Sequence, residues 1–134
     1  MKTWILGLVG ACSVALLGTG AEAWQDAIHG IINSPADLAR AVAVDTAGNV
    51  VAAGRLQATD TTTAFTVIKF DGATGAERWR QVITGTVSPG NNGAQAVAVD
   101  AAGDVVAAGR LQITGTTTAF TVIKCDGATG GKDR

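Results

Sequence analysis

Apolar residues in this chain come in short runs of Val, Ala, Thr, Phe and Ile, each cut off by a cluster of Asp, Gly and Thr. "AVAVD" at 41–45, "VVAAGRLQ" at 50–57 and "TTTAFTVIK" at 61–69 are separated by "DTAGN" and "ATD", and "DGATG" follows at 71–75. Asp accepts backbone hydrogen bonds locally and Gly tolerates positive φ, so these clusters read as tight turns and the runs between them as strands. The pattern predicts strands near 25–29, 40–45, 50–56, 64–70, 77–83, 95–100, 105–111 and 119–125, joined as an antiparallel meander. No segment carries an apolar stripe between caps over ten or more residues, which argues against helices. "AVAVD" has no polar residue before its final Asp and predicts a strand buried on both faces. "ERWRQVI" mixes charge with Trp79, Val82 and Ile83 and predicts a more exposed one.

The pattern repeats. Residues 24–78 align with 79–133 without a gap, and 34 of the 55 positions are identical. "AVAVD" returns at 96, "VVAAGRLQ" at 105, "TTTAFTVIK" at 116 and "DGATG" at 126. A fixed period of this length means that one supersecondary unit is reused and stacks on its neighbour. A small-residue inner strand and a polar outer strand suit a four-stranded propeller blade, with a sandwich, a solenoid or an open sheet as alternatives. The expected fold is therefore all-β: two blade-like antiparallel four-stranded repeats, 24–78 and 79–134, incomplete as a closed propeller and with the second lacking its following outer strand.

Two motifs carry a family resemblance. "AVAVDTAGNVVAAG" and "AVAVDAAGDVVAAG" resemble the inner hairpin of the bacterial seven-bladed propeller repeat family. "IKFDGATGAERWR" is similar to the tryptophan-docking motif of quinoprotein-like propellers, a motif shared widely by propellers that bind no quinone. The resemblance implies that Trp24 and Trp79 pack between adjacent blades, and that Asp71, Thr74 and Gly75, with their copies Asp126, Thr129 and Gly130, form the turns that lock the last two strands. Position 134 is Arg, and no tryptophan follows the second turn.

A pair of blades leaves two broad faces uncovered, and a monomeric pair of this size is expected to be marginal. One solution is a head-to-tail homo-oligomer, in which the first strand of one copy, "WQDAIHG", completes the last blade of another and brings Trp24 to the vacant position. Three chains make six blades and four make eight. The other solution is that missing propeller blades lie elsewhere in a longer polypeptide, of which this chain is a fragment.

Composition then narrows the setting. Lys2 precedes the apolar run "WILGLVGACSVALLG", and "AEA" at 21–23 offers the small residues of a peptidase site, so residues 1–23 read as a signal peptide and the protein as exported, periplasmic or extracellular. Cys12 after "LVGA" resembles a lipobox and gives an outer-membrane lipoprotein as the alternative. Cleavage after Ala23 leaves Cys125 as the single cysteine, at the position held by Phe70 in the first repeat, where a small buried hydrophobe is expected. Ten basic and eleven acidic residues are scattered along the chain, without the cationic cluster that nucleic acid requires.

Chemistry-bearing residues are sparse. His29 is the only histidine. Asp45 and Asp100 end the inner strands at D-x-x-G turns and Asp71 and Asp126 begin the later D-G-A-T-G turns, where turn formation is expected rather than metal ligation, since the dense carboxylates of a calcium loop are missing. Ser34 and Ser88 fall in connections with Pro35 and Pro89, without a nucleophile elbow. Arg55 and Arg110 recur after "VVAAG" as candidates for rim or interblade contacts. The adjacent cysteines and C-x-x-C-H segments of some quinoprotein enzymes are missing, so an enzyme is the lesser expectation, with no catalytic residue, metal or cofactor assigned. Binding to an envelope protein or a glycan through the variable connections "HGIINSPADL" and "TGTVSPGNNG" is the broader expectation.

Overall fold

The computed structural model describes residues 23–31 and 36–132. The leader assigned to 1–23, apart from Ala23, lies outside them, as do Cys12, Ser34 and Pro35. The described part is all-β, with strands β1 (Leu38–Val44), β2 (Val50–Thr59), β3 (Thr62–Phe70), β4 (Glu77–Ile83), β5 (Gly90–Asn91), β6 (Gly93–Val99), β7 (Val105–Gln112) and β8 (Thr118–Cys125). They form two sheets. The first runs β1-β2-β3-β4 with β5 added beside β3, and the second runs β6-β7-β8. All pairings are antiparallel except β3 with β5, where Thr62 faces Gly90.

Each hairpin is closed by the residues that the repeat brings back. Asp45 Oδ1 accepts the amides of Ala47 and Asn49, and Asp100 Oδ1 accepts those of Ala102 and Asp104. These bonds turn β1 into β2 and β6 into β7. The register is the same in both copies: Val51 faces Lys69 as Val106 faces Lys124, and Arg55 faces Phe65 as Arg110 faces Phe120.

The core lies between the sheets. Val51, Ala53, Phe65, Val67 and Trp79 of the first sheet pack against Ala94, Val105, Ala107 and Cys125 of the second. Burial of each large apolar side chain there contributes about 1.5–3 kcal/mol. A smaller cluster on the other face of the first sheet holds Leu56, Ile68 and Phe70, covered in part by Trp24 and Ile28.

Three expectations change. Residues 25–29 are not a strand. Their copies in the second repeat lie in β4, which pairs with the preceding β3, and the described residues contain no sheet before β1 for 25–29 to join. β1 is not buried on both faces: Val42 is 64% exposed and Val44 61%, because no sheet covers that side, whereas their copies Val97 and Val99 pack on the core. The repeats are not two equal four-stranded sheets, since β4 joins the first sheet and β8 has only β7 and a single bridge from Cys125 to Lys132 beside it.

Candidate functional site

The tryptophans and turn residues expected to act together come together at two docks, of which only that of Trp79 lies between the sheets. Asp71 caps its turn by accepting the amides of Ala73 and Thr74 and the Thr74 hydroxyl at 2.9–3.1 Å. Asp126 does the same for Ala128 and Thr129 at 2.8–3.0 Å. Each turn ends in a glycine at positive φ, +77° at Gly75 and +76° at Gly130, a conformation costly for any residue with a Cβ. A tryptophan from 51 residues earlier lies on each glycine: a Cβ on Gly75 would stand 2.7–2.9 Å from three atoms of the Trp24 ring, and one on Gly130 2.6–2.9 Å from the same atoms of Trp79. The indole Nε1 of Trp24 donates to Gly72 O at 3.0 Å, and that of Trp79 to Gly127 O at 3.1 Å. Trp24 also tilts against Phe70, with ring centroids 5.8 Å apart.

The two docks differ in what they join. Trp79 belongs to the first sheet and its turn to the second, so this contact fastens sheet to sheet. Gln81 Nε2 adds a 2.6 Å bond to Gly130 O. Trp24 lies on a segment outside either sheet and docks on the first sheet's turn.

Lys69 is the buried cation of the boundary. Its Nζ lies 2.9 Å from Asp45 Oδ2 and donates to Gly127 O at 2.8 Å, with both side chains nearly covered. Gly127 O thus receives the Trp79 indole and the Lys69 ammonium together. The ammonium, helped by bonds from Asn49, holds the Asp45 carboxyl far below its ordinary range. Lys124, its copy, is exposed and spans Asp100 at 2.9 Å and Asp104 at 3.4 Å, and the Asp100 carboxyl is lowered chiefly by that contact. The Asp71 carboxyl is lowered to about 2 by the Arg78 guanidinium and by the Thr74 and Ala73 amides.

The remaining candidates sit apart. Arg55 Nε donates to Ala36 O at 2.9 Å and its Nη1 reaches Asn91 Oδ1 at 3.4 Å, tying the hairpin to the strand that leads into the second sheet. Arg110 makes no such bond among the described residues. His29 is largely exposed, 3.9 Å from Asp37. Ser88 exchanges hydrogen bonds with the Thr61 and Thr62 hydroxyls. Cys125 is fully buried. Among the described residues no group of three or more His, Cys, Asp or Glu side chains is placed to hold a metal ion.

A cavity of about 310 Å³ opens on the outward face of the first sheet, lined by Trp24, Ile28, Ala52, Gly54, Ile68 and Phe70 among others. Its lining is mostly apolar, with Asp26, Asp37 and Arg55 also on it.

Two features escaped the sequence reading. Lys69 and Lys124 stand in an otherwise apolar strand, and the alternation of β3 puts Lys69 on the side of Phe65 and Val67, a signal that was available. Asp37 and Asn92 fall at one repeat position without being identical, and both accept a main-chain amide at 2.7 Å, from Gln57 and Gln112. Aspartate and asparagine share that acceptor oxygen, so a count of identities passes over the match. No protein-family model matches the chain, and no curated protein matches it either.

Proposed function

We propose that this chain is an exported β-propeller repeat protein that works as a binding or structural scaffold. The observation that supports it best is the repeated tryptophan dock, Trp24 on Gly75 and Trp79 on Gly130, of which the second fastens one sheet to the next. A rigid stack of this kind carries its variable connections at its ends, where an envelope protein or a glycan is contacted. Within this reading the Asp–Thr–Gly turns serve structure, Arg55 and Arg110 serve contacts at the rim, and there is no catalytic step, metal or cofactor.

Expression of the full 134-residue sequence in a bacterial host tests it. The expected product has lost its leader after Ala23, is found in the periplasm or medium, and retains one envelope protein or glycan through the 84–93 connection. An uncleaved cytoplasmic product, or capture unaffected by replacing the exposed Thr84 and Thr86 of that connection while β5 and the buried Asn92 stay in place, overturns the reading.

A second reading, a fragment of a larger propeller, is favoured by the exposed outward faces at Phe120 and Val42. Intact mass of the polypeptide in its source cell separates the two.

A further inference from the structure

We infer that copies of this chain stack head to tail, the second sheet of one copy covering the first sheet of the next and repeating the contact that already joins the two sheets within a chain. The inference rests on the scaffold reading and names its partner. Three independent contacts within the chain have both halves of their counterpart left open at its two ends.

The first is a ring and its seat. Phe65 is fully buried and its ring edge touches Gly109 of the second sheet, near enough that a Cβ there would stand 2.9 Å away. The copy of Phe65 is Phe120, which is 89% exposed. The copy of Gly109 is Gly54, whose nearest neighbours are main-chain atoms of Leu38 and Ala39 and which lines the 310 Å³ cavity. An exposed aromatic ring and an apolar cavity are therefore placed at opposite ends of one molecule, in the same relation as the pair that fit inside it. Val122, 55% exposed, is likewise the copy of Val67, and Val42 and Val44 are the copies of Val97 and Val99, which pack on the core.

The second is polar. Gly127 O accepts both the Trp79 indole and the Lys69 ammonium. Its copy, Gly72 O, accepts the Trp24 indole and, among the described residues, no ammonium. Lys124 is exposed, held by two carboxylates as Lys69 is by one, and bonded to no main-chain carbonyl among the described residues. In the stack, Lys124 of one copy donates to Gly72 O of the next.

The third is a strand. β4 pairs with β3 while its Trp79 docks on the following sheet's turn. Residues 24–29 already dock Trp24 on the following turn and have no strand beside them. The outer edge of β8 is the copy of the β3 edge that β4 fills, so 24–29 of one copy become the fourth strand of another's second sheet. These contacts join unlike surfaces, so the assembly is heterologous and closes into a ring when the rotation permits.

Sedimentation velocity on the protein recovered from full-sequence expression is the test. The wild type is expected to sediment as an oligomer whose fraction rises from low to high micromolar concentration. Phe120→Asp spoils only the second-sheet face and Val42→Asp only the first-sheet face, and each is expected to weaken association by at least about tenfold. Mixed at equal concentration, the two variants retain one good face each and are expected to form one-to-one dimers. A face-to-same-face contact gives no such rescue. Lys124→Met, which keeps the apolar stem, is expected to weaken association several-fold without changing the far-ultraviolet circular dichroism.

A wild type that remains a folded monomer at high micromolar concentration overturns the inference, and assigns the exposed faces to another occupant such as further sheets of a longer polypeptide. Failure of the mixture to dimerise overturns it as well. If an aspartate unfolds its sheet, Phe120→Ser and Val42→Ser repeat the mixing test. Export and partner capture are read separately, so the scaffold reading stands or falls on its own.

Discussion

The Trp79 indole lies against Gly130 and bonds to the carbonyl of Gly127, so that one side chain of the first sheet is clasped by the backbone of the second. The ring is nearly fully buried and joins the core that contains Phe65 and Val105. Replacing Trp79 with Ala is expected to cost about 3–5 kcal/mol, read from urea unfolding. Gly130→Ala keeps the tryptophan but needs a strained backbone, at about 1–2 kcal/mol, and pushes the ring from its place. Tryptophan emission moving to longer wavelength in native Gly130→Ala would report that displacement, and unchanged emission and stability would contradict the dock.

Lys69 and Lys124 should respond unequally to the same change. Removing the Lys69 ammonium leaves the covered Asp45 carboxylate without a cation, bonded only to the Ala47 and Asn49 amides and the Asn49 side chain, and Lys69→Ala is expected to destabilise by about 3–5 kcal/mol. The Lys124 pairs are exposed and screened by solvent, and Lys124→Ala is expected to cost the monomer far less than Lys69→Ala does. Equal losses in paired denaturation curves would refute the difference in burial.

Acid should weaken the fold through its turns. The carboxyls of Asp45, Asp71, Asp100 and Asp126 are all held below their ordinary value of 3.8, so the unfolded chain binds more protons than the folded one in acid. Their contribution is complete above that value and is lost as pH falls through the folded values, which for Asp71 means toward about 2. Urea midpoints measured from about pH 5 down to about pH 2 are expected to fall steadily. Asp71→Asn should flatten part of that slope, and a slope identical to wild type would count against the Arg78 contact.

Phe65 and Phe120 share a repeat position but not an environment. Phe65→Ala is expected to cost about 3–5 kcal/mol by opening a cavity between the sheets. Phe120→Ala is expected to change the monomer's stability by no more than about 0.5 kcal/mol. Thermal unfolding at low concentration, where association is absent, makes the comparison.

Most of the strands were legible because Asp and Gly punctuate them and because the period sets their phase. β2, β3, β4, β7 and β8 fall where the apolar runs place them, within two or three residues at their ends. What the sequence did not show was environment. The two Val pairs, 42/44 and 97/99, are identical in sequence and opposite in exposure, since burial of a sheet face depends on the sheet next to it and not on the strand itself. The same limit explains residues 25–29: strand propensity is satisfied only where a partner edge exists. β5 was invisible because "GN" carries no apolar pattern, and it pairs with β3 through a parallel contact of two residues. Lys69 is buried because the alternation of β3 puts it on the face of Phe65 and Val67, against the second sheet.

Trp79 stands in the first sheet and serves the turn of the second, 51 residues downstream, and Trp24 stands the same distance ahead of the first sheet's turn. A gene built on that rule can lengthen or shorten by whole units of 55 residues and keep every fastening intact, since each added unit arrives with a dock for its predecessor and an indole for its successor. Gain or loss of one whole repeat is therefore a route by which this architecture changes size without redesign.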